Sequence, residues 1–403
     1  MISSVSALSF EKYREREIIA AWFQLAHEQG MAAALWRLPS QPHWQLLLDT
    51  SGGKMVGRVD IEETIGGFVV APFNNPDRSN ETFLRADLYF DSFDRRLKSG
   101  SNLSDELIEH CLVRLDAILK HGFEQPSFYY KQTSSNSTAK EDYCRMVERA
   151  IDGIRENMFQ KVVPAVSRRV PLKTGFGCLE TFEQLSDNYP FAFVSLVTVP
   201  QLGTWMGASP ESIIEIDENQ QFTTVAVAGT QTKTPGLTPP EVAWKQKEIE
   251  EQALVSRYII NCFKKIRLRE FVENGPKTVV AGNLLHLKTT FTVDMKETNF
   301  PLLGSVMLDL LHPTSAVCGM PKTPAQQFIE DHEKFNRSLF SGYLGPVNIN
   351  NETHLFVNLR CMQVQANKAI LYAGAGVTED SIPEKEWVET QVKCDTLLDV
   401  LNL

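Results

Sequence analysis

Two pairs of glutamates share one spacing. Glu248 and Glu251 in "KEIEEQALV", and Glu386 and Glu389 in "EKEWVETQVK", are i, i+3 neighbours, which a helix projects from one face. Lys393 continues the second face at i+4 from Glu389. A single pair reads more readily as a solvated, charge-laced helix face. A pair on each of two helices forms an oxygen-only cage for a hard divalent cation. Mg²⁺ prefers few carboxylates, retained waters and an anionic substrate oxygen. Other charges stand in apolar surroundings. Lys161 in "MFQKVVPAV" is either a solvated strand residue or a base kept out of water. Glu211 in "GASPESII" sits between turn formers and an apolar run, and Arg360 in "NLRCMQV" interrupts a strand-like one. His286 in "LLHLKTT" and His312 in "LHPT" read as hydrogen-bonded core histidines.

These groups need elements to hold them. Helical spacing or caps predict helices over 10–30, 103–120 and 301–311, at 323–335, and from about Ile382 to the C-terminus. "TAKE" reads as a capping box, Thr138 to Glu141, opening the helix before Lys161. "TPPE" at 238–241 opens the helix that carries Glu248 and Glu251, running to about Lys265. Short apolar runs between turn residues predict strands across 31–95, 191–228, 278–293 and 339–374. Many of the connections read as hairpins, so the fold class is α+β with antiparallel sheets. "KQTSSNSTAKED" (131–142) is the best internal linker.

Composition narrows the function classes. The chain has 403 residues, 43% hydrophobic and 22% charged, with a formal charge of −10. That leaves no global basic field for nucleic acid or anionic lipid; an anionic ligand requires locally concentrated cations. Apolar runs reach about nine residues, as in "FAFVSLVTV", short of a membrane span. The N-terminus has no signal-like pattern, and the seven cysteines form no CxxC pair. These features read as a reduced, cytoplasmic protein.

The second half, about 145–401, resembles the chorismate-utilising enzymes. The pieces occur in family order: "FQKVV", "GASPE", "AGT", "KEIEEQ", "LHLKT", "LHPTSAVCGMPK", "EDHEKFNRSLFSGYLG", "LRCM", "AGAGV" and "IPEKEWVETQVK". The resemblance implies an α/β/β/α sandwich with two large antiparallel sheets. Residues 1–130 form its motif-free N-terminal part and 138–403 its catalytic region, in one intertwined domain. It implies Mg²⁺ held by Glu251 and Glu389, with Glu248 and Glu386 acting through water. It also implies chorismate bound by Arg360, Lys393, His286 and the segments Gly229–Thr230 and Gly374, Ala375 and Gly376.

Members of this family differ in the nucleophile they deliver. Lysine-adduct members carry Lys where this chain has Ala228, and ammonia-using members lack the lysine at position 161. Lys161 therefore implies water as the nucleophile and Glu211 as the acid that protonates the departing hydroxyl, giving isochorismate. Salicylate synthases, which go on to expel pyruvate, tend to carry Thr at Ala316 and Tyr at Phe340, while Leu359 suits either activity. An ammonia-using synthase or a silent chorismate-binding paralogue is the remoter alternative. No glutaminase subunit, nucleic acid or membrane partner is expected. Three departures stand out: Pro164 within the strand, Val166 where Arg is common, and Gln252 where His often follows the metal-binding Glu.

Overall fold

The structure is a computed structural model and describes residues 2–4, 10–100, 103–122, 126–133, 136–232, 241–281 and 284–401. The strands are β1 (Ile2–Ser4), β2 (Ala32–Arg37), β3 (Gln45–Asp49), β4 (Lys54–Gly57), β5 (Gly67–Ala71), β6 (Glu81–Arg85), β7 (Leu88–Asp91), β8 (Arg96–Gly100), β9 (Lys161–Val162), β10 (Ala165–Pro171) and β11 (Phe193–Val199). They continue as β12 (Gly203–Ser209), β13 (Ser212–Ile216), β14 (Gln221–Thr232), β15 (Val272–Ala281), β16 (Leu284–Asp294), β17 (Gly319–Met320), β18 (Tyr343–Val347), β19 (Thr353–Val357), β20 (Cys361–Val364) and β21 (Lys368–Gly374). The helices are α1 (Glu15–Glu28), α2 (Asp105–His121), α3 (Lys140–Arg155), α4 (Cys178–Asn188), α5 (Gln246–Lys265), α6 (Leu303–Leu311), α7 (Lys322–His332) and α8 (Pro383–Leu401).

Two large antiparallel sheets dominate. One has the order β1-β8-β7-β3-β2-β11-β12-β20-β21-β10, the other β15-β16-β14-β13-β19-β18-β5-β6-β4. The period of two along a strand decides which layer each residue joins. On β2, Ala33 and Leu35 face a core shared with α1, α2, α3, α4 and α8, while Ala32, Ala34 and Trp36 face the other sheet. On β5, Val69 and Ala71 face α5 and α6, while Phe68 and Val70 face inward. The middle layer is closed by aromatic contacts across the sheets. Phe193 stacks on Phe356 with centroids 4.1 Å apart, and Trp36 meets Phe68 at 5.3 Å. This is the expected α/β/β/α sandwich with two antiparallel sheets.

Several sequence expectations need correction. The helix before Lys161 is capped at Ala139, not Thr138. Thr138 is drawn into pairing with β10, where its amide donates to the Ser167 carbonyl (2.8 Å) and its hydroxyl accepts from the Ser167 amide (3.0 Å). A side chain committed to the sheet cannot also cap the helix. The glutamate-bearing helix α5 begins at Gln246, seven residues after the expected first position at Pro239; Thr238 and Pro239 lie outside the described residues. Helix α4 had no counterpart in the sequence reading, although Leu179, Phe182 and Leu185 bury one face of it at helical spacing.

Candidate active site

The chain passes between the two large sheets at two adjacent crossings. Strand β12 leaves the first sheet at Ser209 and β13 enters the second at Ser212, with Glu211 between them. Strand β19 leaves the second sheet at Val357 and β20 enters the first at Cys361, with Leu359 and Arg360 between them. The crossings are hydrogen-bonded to each other. The Val357 amide donates to the Glu211 carbonyl (3.0 Å), the Ala208 amide to the Arg360 carbonyl (3.1 Å), and the Ser209 hydroxyl to the Val357 carbonyl (2.5 Å). Arg360 therefore stands in a turn, not inside a strand as its sequence context suggested. Its φ of 46° is in the left-handed region that non-glycine residues seldom occupy.

Lys161 reaches the same place from a third direction. Strand β9 is a two-residue piece paired with β17, and Val162 also bridges Val377 just beyond the "AGAG" segment. Pro164 marks the point where this piece ends and β10, the last strand of the first sheet, begins. The missing amide matters little at an edge, and the Pro164 carbonyl accepts from the Ala375 amide (3.2 Å). Val166 is buried against Ala373 on β21.

The electrostatics separate Lys161 from Glu211. Burial pulls the Lys161 amine below the usual lysine range, opposed by the charges of Glu251, Glu211 and Glu389. Burial pushes the Glu211 carboxyl above the usual carboxylate range, opposed by a hydrogen bond from the Thr314 hydroxyl (3.1 Å) and by Lys161, Lys393 and Arg360. Desolvation disfavours whichever form is charged, so the base is biased toward neutral and the acid toward protonated. Among the described residues Lys161 makes no ion pair within 4 Å, and neither does Arg360. Behind Glu211 a cavity of about 30 Å³ is lined by Ser212, Thr224, Tyr258, Thr314, Ser315 and Ala316, room for a water or two.

Small residues shape the rim. A Cβ at Gly376 would lie 2.9 Å from Lys161 Cε and 3.4 Å from Nζ. Gly229 occupies a bulge of β14 between Ala228 and Thr230 with φ 68°, and its Cβ would press on Glu248 Cβ at 3.0 Å. Bulges commonly flank active sites. His286 Nδ1 donates to the Gly229 carbonyl (3.0 Å), and burial pushes its pKa down, biasing the ring toward neutral. His312 is a core histidine: it is buried edge-on to Tyr343 (4.7 Å) and its pKa is pushed down to about 3, chiefly by burial. Lys393 on α8 donates to the Gly374 carbonyl (2.8 Å) and pairs with Glu389 (2.6 Å).

The four glutamates lie on α5 and α8 as the spacing required. Among the described residues no group of three or more His, Cys, Asp or Glu is assembled for a metal ion. The donor set still suits Mg²⁺, which takes one or two carboxylates and completes its shell with water and substrate. One observation supports the fit: Glu248 Oε2 is buried and has no hydrogen-bond partner among the described residues, beside the Gly229 bulge. Burial also pushes Glu386 above the usual carboxylate range, with Glu389 adding to it. Gln252 turns away from such a site. It is buried, and its Nε2 donates to the Ala226 carbonyl (3.1 Å) and Thr289 Oγ1 (2.9 Å), fastening α5 to β14 and β16.

Phe340 is placed elsewhere, stacked on Tyr372 in the layer between the sheets (5.5 Å, 14°). Two groups were quoted in motifs without a role. One is Thr314 of "LHPTSAV", the partner of Glu211. The other is the buried pair Glu333 and Arg337 of "EDHEKFNRSLF". Residue type alone gave no signal for either; Thr314 is marked by its hydrogen bond to Glu211, and Glu333 and Arg337 by their burial.

Solved structures share the fold. The Escherichia coli menaquinone-specific isochorismate synthase MenF aligns with TM-score 0.75 at 18% identity, covering 100% of this chain and 94% of that one. Anthranilate synthase component I from Streptococcus pneumoniae aligns with TM-score 0.66 at 18% identity, covering 85% and 82%. In sequence, the chorismate binding enzyme family matches residues 81–402, and the chain belongs to that family. The isochorismate synthase EntC of Escherichia coli (strain K12) is 30% identical over 226 residues, 55% of this chain and 57% of EntC. Isochorismate synthase DhbC of Bacillus subtilis (strain 168) is 26% identical over 274 residues, 65% of this chain and 68% of DhbC. The match thus spans little more than half the length of EntC.

Proposed function

We propose that this protein is an isochorismate synthase, converting chorismate to isochorismate. The observation that carries the reading is the opposed pair: a lysine biased toward the neutral amine and a carboxyl biased toward the acid, each within electrostatic reach of the other. Lys161 takes a proton from water as the water oxygen bonds to C2 of the ring. The double bonds shift, the C4–O bond breaks, and Glu211 gives its proton to the departing hydroxyl, which leaves as water. Both groups must then exchange protons with solvent to reset. General acid and base held at different protonation states in one site is a recurrent arrangement.

The rest of the site binds. Arg360, without an ion-pair partner among the described residues, offers its fork to the enolpyruvyl carboxylate. Lys393 and the amides of the Gly229–Thr230 and Gly374–Gly376 segments add donors. Glu251 and Glu389, with Glu248 and Glu386 through water, would hold Mg²⁺, which when bound offsets the charge of the ring carboxylate. An acidic chain can bind a dianion in this way because the positive charge is local. Ala228 offers no amine for a covalent adduct, so no lysine adduct forms there. The product would feed menaquinone or siderophore biosynthesis.

The test is to incubate purified protein with chorismate and Mg²⁺ and separate the products. Isochorismate is expected, and Lys161→Ala and Glu211→Gln should each abolish it while remaining folded. Salicylate with pyruvate as the main product would instead establish the salicylate synthase reading, and chorismate binding without turnover a silent paralogue.

A further inference from the structure

The break at Pro164 leaves two backbone groups outside either sheet, the Val163 carbonyl and the Ala165 amide. Both are taken by one buried ion pair. Arg337 Nη2 donates to the Val163 carbonyl (2.6 Å), and Glu333 Oε1 accepts from the Ala165 amide (2.8 Å). The two side chains are each 3% exposed and bond each other at 2.5 and 2.8 Å. Arg337 Nη1 also donates to the Val317 carbonyl (2.9 Å), at the end of the loop that carries Thr314. The guanidinium lies 4.3 Å from the Phe73 ring centroid, which closes off one side of it.

We propose that Glu333 and Arg337 are positioning residues that hold the Lys161 strand and the Thr314 loop in one register, and so fix the base relative to the acid. One guanidinium spans the two segments. Its fork reaches Val163, two residues from Lys161, and Val317, three residues from Thr314, whose hydroxyl holds Glu211. A buried ion pair is weak support for stability, since burying the charges costs about as much as their attraction returns. Its geometric fixity is the stronger reason for one here. Neither residue touches the proposed substrate positions, so the pair acts through Lys161 and Glu211.

This inference rests on the acid–base reading above, and the two can fail separately. Arg337→Lys keeps the charge and the bond to Glu333 but cannot reach both carbonyls. With chorismate and Mg²⁺, kcat should fall about 100-fold, the scale of an ångström-sized misplacement. KM should stay within about threefold and melting should remain cooperative. Glu333→Gln, nearly isosteric, keeps an acceptor for the Ala165 amide and should lose less of kcat. Wild-type kcat in folded Arg337→Lys would overturn the proposal. So would a loss that falls on KM alone, or failure of both variants to fold, which would make the pair structural only. If Lys161→Ala retains wild-type turnover, the acid–base reading itself has failed.

Discussion

Gly376→Ala isolates the placement of Lys161. Gly376 does not have a left-handed backbone, so alanine adds no backbone strain there. The peptide amide that would face substrate is also retained. The new methyl carbon would stand 2.9 Å from Lys161 Cε, where carbon atoms normally approach to about 3.5–4.0 Å. The amine arm must therefore move by about 0.6–1.1 Å. Because the clash is with the far end of a flexible side chain, the fold should lose about 1 kcal/mol, the low end for overpacking. Catalysis should lose more. Displacement of a reacting group on this scale corresponds to about 10- to 100-fold in kcat, or about 1.4–2.7 kcal/mol of barrier. Steady-state kinetics on chorismate, with circular-dichroism melting of the same preparations, measures both. Wild-type kcat in the folded variant would refute the claim that Lys161 works from this position, as would a loss explained by unfolding alone.

The pH profile and two further substitutions follow from the same geometry. Lys161 must be deprotonated, so kcat/KM should rise as pH passes its amine pKa, at a value below the ordinary 10.5. Glu211 must be protonated, so activity should fall as pH passes its carboxyl pKa, at a value above the ordinary 4.5. Thr314→Val removes a hydrogen bond that favours the Glu211 carboxylate; the limb set by Glu211 should move to higher pH, with kcat reduced by about tenfold or less. Gln252→Leu strips partners from the Ala226 carbonyl and Thr289. It should cost about 1–3 kcal/mol in denaturant titration and leave the pH profile in place.

Much of the fold was legible in the sequence, because motif order along 145–401 carried it. Apolar runs between turn residues marked many of the strands, but not β10 or the break between β19 and β20. Three things were hidden for physical reasons. Whether an apolar run such as "LFVNLRCMQV" is one strand or two is settled by a sheet crossing, a tertiary feature with no period; hence Arg360 fell inside a strand on paper and in a turn in space. A capping box and a strand pairing compete for the same hydroxyl, and at Thr138 the pairing wins. The direction of Gln252, next to Glu251 but facing the sheet, follows from the roughly 100° step between helix neighbours, which sequence adjacency conceals. Pro164, an oddity in a strand, is explained by the change of sheet and by the ion pair that receives the freed backbone groups.

The central claim is that Lys161 makes water the nucleophile at the ring. Turnover of chorismate with Mg²⁺ in ¹⁸O-labelled water, followed by mass spectrometry of the product, tests it most directly. Isochorismate carrying one ¹⁸O, in its C2 hydroxyl, is expected, with no such product from Lys161→Ala. Unlabelled isochorismate, or labelled product at the wild-type rate from Lys161→Ala, would contradict it.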